Sequence, residues 1–306
     1  MVSLLEAGIR PLVEGFIQDG RPCPSSLPVE VRRAGYLAST DLAGKSEPVF
    51  KEWLESIEGF TFRVFRPSDE DNLPLILYFH GGCFISGSYQ THEQQLRELA
   101  TQSNSVVVCL SYRLAPENVY PTAHDNVFRA SQLARERAEQ FGARKDRVHF
   151  VGDSAGGHLA LSTALRLKQA GKWQASSLVL IYPMLDPYGL SESYRENGKD
   201  YIITANMLLS GFDMYRNGLE QAEAPELFPL QREDLAGLPR THILTAEFDP
   251  LHDEGEALNY LLKEQGVDTH YQMYPGVIHG FYQLSGVSES ARYSIKEISK
   301  FLNKSR

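Results

Sequence analysis

A serine set between two glycines, in Gly152-Asp153-Ser154-Ala155-Gly156, is the feature of this 306-residue chain best placed to do chemistry. A hydroxyl is a weak nucleophile until a base takes its proton and a third group orients that base. Ser154 therefore needs a histidine and a carboxylate from elsewhere in the chain. Glycine has no Cβ, so a strand can turn sharply into a helix here with the serine at the tip of the bend. The flanks fit that picture: Val148 to Val151 are β-prone, and Leu159, Ala160, Thr163, Ala164 and Leu167 recur at helical spacing. The Ala155 N–H then lies in the first helical turn, where backbone donors lack partners and the dipole favours an anion. The bland alternative is a glycine-rich surface turn, and only partners elsewhere separate the two.

Nine histidines compete for the base. His279 lies between Pro275 and Phe281, directly after the last expected strand, at the place where a base belongs in this strand–turn–helix arrangement. His158 stands one turn beyond the serine, its ring poorly directed, and reads as structural. His80 reads as a residue that fixes its loop by hydrogen bonds. His149, His242 and His270 fall within strands with neighbours to satisfy them, and His92, His124 and His252 read as surface or loop positions. For the carboxylate, Asp249 ends the strand before the His279 strand, and Pro250 favours an extended backbone there. Asp186 keeps the same chain order and is the rival, while Asp253 and Glu254 suit a helix cap.

A second donor loop follows the apolar run Leu73 to Phe79: His80-Gly81-Gly82-Cys83-Phe84. Glycines there let the backbone approach a substrate carbonyl, so the N–H groups of Gly81, Gly82 and Cys83 can join that of Ala155 around a developing oxyanion. Phe84 and Asp153, beside these donors, are candidate substrate contacts. Metal chemistry finds no motif: Thr91-His92-Glu93 lacks the second histidine of a zinc helix, and no Cys or His pair has ligand spacing. Dinucleotide and Walker loops are absent too, so no metal and no cofactor is expected.

These groups need a scaffold that brings strand ends together. Leu73 to Phe79, Ser105 to Tyr112, Ser176 to Met184 and Thr241 to Phe248 are nearly continuous apolar runs, the mark of strands covered on both faces. Helical patterns alternate with them at 92–102, 125–142, 254–265 and 289–302, and strands are expected at 59–67 and 268–274. The implied architecture is α/β, a mostly parallel central sheet with helices on both faces. About 55 residues separate the Ser176 and Thr241 strands, too many for a simple crossover. They are expected to carry an inserted cap at about 185–228, with a helix at Ala205 to Arg216. Residues 1–55 are expected as N-terminal cap helices around an Arg21-Pro22-Cys23-Pro24 turn, and 56–306 as the catalytic domain. Tyr188 and Phe212 are candidates to line a pocket beneath the cap, with Phe16, Tyr36, Tyr194, Tyr201 and Tyr215 as further cap aromatics.

Composition narrows the partners. A net charge of -9 argues against nucleic acid or an anionic membrane surface, both of which need clustered Lys and Arg. Glu6, Arg10 and Glu14 break any apolar leader segment, so no signal peptide is expected, and no run reaches the length of a membrane span. Three cysteines at unrelated spacings imply no disulfide framework, and Cys109 reads as a small buried hydrophobe, which suits a reducing cytoplasmic setting.

The segments HGGCF, SYRLAPE, GDSAGG, DPLHDEG and HGF, in this order between Leu73 and Phe281, resemble the bacterial hormone-sensitive-lipase-like esterases. The resemblance implies an α/β-hydrolase fold with a helical cap, and a cofactor-free carboxylesterase for short- to medium-chain acyl esters. It also implies Ser154 as nucleophile, Asp249 as orienting acid, His279 as base, and Gly82, Cys83 and Ala155 as oxyanion donors. An amidase or deacetylase would use the same triad, and a non-catalytic small-molecule receptor can share the scaffold. A homodimer through the last strand is an expectation by analogy. One departure stands out: Cys83 replaces the family's usual third glycine, which adds a Cβ and restricts the backbone. Iodoacetamide sensitivity would follow if that thiol is accessible.

Overall fold

The computed structural model describes residues 4–20 and 23–304. Arg21 and Pro22 of the expected N-terminal turn, and the first three residues of the expected opening helix, lie outside that range. In chain order the elements are α1 (Arg10–Asp19), α2 (Val29–Ala38), β1 (Lys51–Ile57), β2 (Phe60–Arg66), β3 (Leu73–Phe79), α3 (Tyr89–Ser103) and β4 (Val106–Leu110). There follow α4 (Thr122–Glu136), β5 (Ala143–Asp153), α5 (Ala155–Gln169), β6 (Ser177–Ile181), α6 (Glu192–Asn197) and α7 (Ala205–Arg216). The chain closes with β7 (Thr241–Phe248), α8 (His252–Glu264), β8 (Thr269–Ile278) and α9 (Glu289–Asn303).

The strands form one eight-stranded sheet in the order β1-β2-β4-β3-β5-β6-β7-β8, antiparallel across β1, β2 and β4 and parallel from there on. The apolar runs account for the middle of it: every residue of β4 and of β6 is buried. Alternation sends successive side chains to opposite faces. Leu75, Leu77, Phe79, Phe150 and Leu180 pack beneath α4, α5 and α8, while Ile76, Tyr78, Val151, Val179 and Ile181 pack beneath α3 and α9. Both faces are thus covered, as a parallel sheet requires.

Register sets the site. Phe79 pairs with Gly152, Asp153 with Ile181, and Phe248 with Ile278, so β3, β5, β7 and β8 end at one edge of the sheet. The loops carrying His80, Ser154, Asp249 and His279 open there, where ligands meet such sheets. β1 is absent from the sequence expectation because Lys51, Glu52 and Glu55 dilute its apolar signal. The expected boundary at residue 55 falls inside it. The helix expected over 125–142 stops at Glu136 and is followed by a tight turn over Ala138–Phe141, closed by Gly142 at φ 83°. Helix α2 lies beside α7, where the Arg32 guanidinium donates to Ser210 Oγ at 3.2 Å and to the Met207 carbonyl at 3.0 Å. Among the described residues no helix is long and apolar enough to cross a membrane.

Candidate active site

Ser154 follows β5 at φ 54°, ψ -120°, a left-handed conformation that costs a non-glycine residue about 1–2 kcal/mol. Its neighbours allow the bend: a Cβ on Gly152 would lie 2.3 Å from the Gly156 carbonyl oxygen, and one on Gly156 1.9 Å from that of Phe79. Backbone bonds hold the tip in place, with Ser154 N–H donating to Ile181 O at 2.9 Å and Met184 N–H donating to Ser154 O at 3.1 Å.

His279 and Asp249 arrive from β8 and β7. His279 Nε2 stands 3.1 Å from Ser154 Oγ, and His279 Nδ1 stands 2.8 Å from Asp249 Oδ2. Asp249 is fully buried, and its other oxygen accepts the Leu251 N–H at 2.7 Å, so its carboxylate is fixed before it meets the imidazole. The Tyr182 ring packs against His279 with centroids 4.6 Å apart. Asp186 is spent in its own turn, accepting the Tyr188 and Leu190 N–H groups at 2.8 and 2.9 Å, and takes no part in this chain of contacts. Glu254 is not a simple cap. It is buried, which pushes its carboxyl pKa well up, and it accepts the Leu185 and Asp186 N–H groups.

In the loops that follow β3 and β5, the backbone N–H groups of Gly82, Cys83 and Ala155 have no acceptor among the described residues. Orphan donors at such strand ends can receive an oxyanion, and in a dry site each is worth far more than in water. Gly81 differs from the expectation. Its N–H donates to Asp153 Oδ1 at 2.9 Å and is not available. Among the described residues no group of three or more His, Cys, Asp or Glu side chains could hold a metal ion.

A family model for the alpha/beta hydrolase fold matches residues 76–283. The chain belongs to that family. It is 36% identical over 229 residues to an arylesterase of Saccharolobus solfataricus, covering 74% of each chain. It is 32% identical over 291 residues to an ethyl acetate hydrolase of Pseudomonas putida, covering 90% of this chain and 92% of that one. A solved structure, a hyperthermophilic esterase of the archaeon Pyrobaculum calidifontis, superposes with a TM-score of 0.91 at 32% identity and 98% coverage of both chains. Within the α/β hydrolases the chain is a hormone-sensitive-lipase-like carboxylic ester hydrolase.

Several other side chains of this esterase sit elsewhere than expected. Phe84 and Phe212 are fully buried against each other, His158 and Tyr215, and expose nothing to a ligand. Tyr188 is partly exposed, but its hydroxyl binds Glu220 and its ring meets Phe228. Asp153 is a buried anchor, not a substrate contact. It accepts from Gly81 N–H, from Tyr78 Oη at 2.9 Å and from His92 Nε2 at 3.2 Å. Burial alone would raise its pKa, and the His92 ring with these donors outweighs that and lowers it.

His92 and His124 are buried rather than superficial, and both ring nitrogens of His242 lack a partner among the described residues. His80 and His158 play the structural parts, at the Gly81 and Met184 carbonyls, with burial pulling each imidazole down to about 4. Burial also pushes the Cys83 thiol up to about 11. His92 could have been found from sequence, since it shares a helix face with Leu96 and Leu99. Tyr78, inside a buried strand, gave no such signal.

Proposed function

We propose that this chain is a serine carboxylesterase that hydrolyses short- to medium-chain acyl esters through an acyl-enzyme. Ser154 is the nucleophile, His279 the base, Asp249 its orienting acid, and the amides of Gly82, Cys83 and Ala155 form the oxyanion hole. The observation that carries this reading is the continuous contact from Asp249 through both nitrogens of His279 to Ser154 Oγ.

In the first half-reaction the Ser154 oxygen bonds to the ester carbonyl carbon as its proton passes to His279 Nε2, and the carbonyl oxygen becomes an oxyanion at the three amides. When the C–O bond to the alcohol breaks, His279 returns the proton to the leaving oxygen. Water then attacks the acyl-enzyme, giving its proton to His279, and the acid leaves as Ser154 is reprotonated. The relatives' names, an arylesterase and an ethyl acetate hydrolase, support small acyl groups with either aryl or alkyl alcohols.

No cofactor enters this scheme, and the partner class is a small-molecule ester rather than nucleic acid or membrane. A cytoplasmic setting fits the unpaired cysteines, and a homodimer through β8, which ends the sheet, completes the proposal.

A series of p-nitrophenyl esters from acetate to laurate, on wild type beside Ser154→Ala, tests it. Wild type should favour the shorter esters, with Ser154→Ala down by about 10⁴-fold or more. Turnover surviving in Ser154→Ala would overturn the reading. Aryl amides hydrolysed as fast as the matching esters would move it to an amidase.

A further inference from the structure

The segment Gly82-Cys83-Phe84 runs at φ 121°, 54° and 64°, three successive left-handed residues of which two are not glycine. Nothing local favours that conformation at cysteine or phenylalanine. What holds it lies outside the loop.

Helix α7 holds one side. A Cβ on Gly211 would lie 2.6 Å from Cys83 Cβ and 2.9 Å from Cys83 O, so the Cys83 side chain and carbonyl rest in a notch that only glycine leaves. The next residue, Phe84, stacks on Tyr215 of the same helix with centroids 4.5 Å apart at 13°. Helix α2 holds the other end. Arg33 Nε donates to Ile85 O at 2.7 Å and Nη2 to Ala115 O at 3.0 Å, while both Nη atoms grip Glu117 at 2.8 and 2.7 Å. Ala115 N–H in turn donates to Phe84 O at 3.0 Å, so the fork binds the loop directly at Ile85 and indirectly at Phe84. A planar fork meeting two carbonyls and a carboxylate cannot be replaced by a point charge.

We propose that Gly211 and Arg33 are positioning residues for the chemical step: from the cap side they set the left-handed conformation that aims the Gly82 and Cys83 amides at the oxyanion. The idea rests on the Ser154 reading above. It explains how this chain tolerates cysteine at the third loop position, since the added Cβ is met by a missing one at residue 211.

The test uses full-length Gly211→Ala, Arg33→Lys and the double variant Cys83→Gly/Gly211→Ala, with unfolding midpoints measured on each. Two probes separate transition-state from ground-state binding. An alkyl trifluoromethyl ketone adds Ser154 Oγ to its carbonyl carbon, sends the proton to His279 and leaves an oxyanion in the hole, whereas the matching methyl ketone binds without a stable adduct.

Loss of one oxyanion donor costs about 10²- to 10³-fold in kcat. A displaced donor should therefore cost Gly211→Ala and Arg33→Lys about 10- to 100-fold in kcat with KM within two-fold. Trifluoromethyl ketone affinity should fall by the same factor as kcat/KM, and methyl ketone affinity should not. The Gly211→Ala penalty should shrink in the Cys83→Gly background.

A merely structural role would lower the midpoint and leave the ketone ratio alone, and that result overturns the proposal. So does wild-type kcat in Arg33→Lys and Gly211→Ala. If Gly211→Ala does not fold, Arg33→Lys decides. Activity retained in Ser154→Ala would sink the underlying mechanism instead, which keeps the two failures distinct.

Discussion

Acid should unfold this esterase well before it protonates most of its carboxylates. Burial pulls five histidines below the ordinary 6.5: His80 and His158 to about 4, His149 and His242 to about 3, and His124 well below. In the unfolded chain each takes a proton as pH falls through 6.5, while in the folded chain it stays neutral until about 4 or lower. Between those limits the unfolded state binds more protons, so stability is full above 6.5 and falls as pH drops. Each group loses about 1.4 kcal/mol per pH unit, or about 2 kcal/mol by pH 5. The four with stated values sum to about 8 kcal/mol, a large part of the 5–15 kcal/mol that holds an ordinary domain.

Glu254 acts the other way. Its buried carboxyl is held above its ordinary value, so it destabilises at neutral pH and that loss is relieved on acidification, offsetting part of the sum. Asp153 is lowered, so its contribution is lost only below its ordinary 3.8, outside the window. Thermal melts at pH 7, 6 and 5 at constant ionic strength should show a drop on the order of 10 °C, at roughly 2 °C per kcal/mol for a chain of this size. His242→Phe should flatten that slope by about one proton, because neither nitrogen of His242 has a partner to lose among the described residues. A melting temperature constant from pH 7 to pH 5 would refute the argument.

Three further outcomes follow from the site. Asp249→Asn should lower kcat by about 10⁴-fold while Asp186→Asn leaves it within a few fold; equal losses would mean that the carboxylate is misassigned. With burial raising Cys83 to about 11, only about one thiol in a thousand is ionised at pH 8, so iodoacetamide should inactivate slowly and faster as pH rises toward 10. Stoichiometric labelling of Cys83 within minutes at pH 7.5 would contradict that. Asp153→Ala strands donors from Gly81, Tyr78 and His92 in the interior and should cost about 3–5 kcal/mol in urea unfolding, whereas Asp153→Asn, which keeps one acceptor oxygen, should cost clearly less. A loss under 1 kcal/mol for the alanine variant would show that the network does not hold the loop.

What could be read from the sequence was whatever depends on local pattern. The buried strands announce themselves as apolar runs, and α7 was expected over the same residues that form it, Ala205 to Arg216. Strand-end loops on one edge then place Ser154, Asp249 and His279 together, because a parallel sheet leaves them no other side. Side-chain direction was not legible. Phe84 follows His80-Gly81-Gly82-Cys83 and Phe212 lies in α7, yet both point into a common aromatic cluster with Tyr215 and His158. The fate of the Gly81 N–H depended on Asp153, 72 positions away, which nothing in His80-Gly81-Gly82 reveals.

The turn at Ser154 and the loop at Cys83 raise the same physical problem and solve it differently. At the turn after β5, the strained Ser154 lies between Gly152 and Gly156, which local sequence supplies, so a short motif nearly suffices to specify it. In the loop after β3, Cys83 and Phe84 are themselves the strained residues and the glycines, Gly81 and Gly82, only precede them; the missing permissiveness is restored by distant residues: Gly211 opposite Cys83, Tyr215 beneath Phe84, Arg33 on Ile85 and Asp153 on Gly81. Such strain persists only where the surroundings over-determine it. Moving HGGCF alone into another member of this family should therefore fail to reproduce its left-handed backbone unless a glycine faces its cysteine from the helix opposite, since the Ser154 turn is encoded by its motif and the Gly82–Phe84 turn by the packing around it.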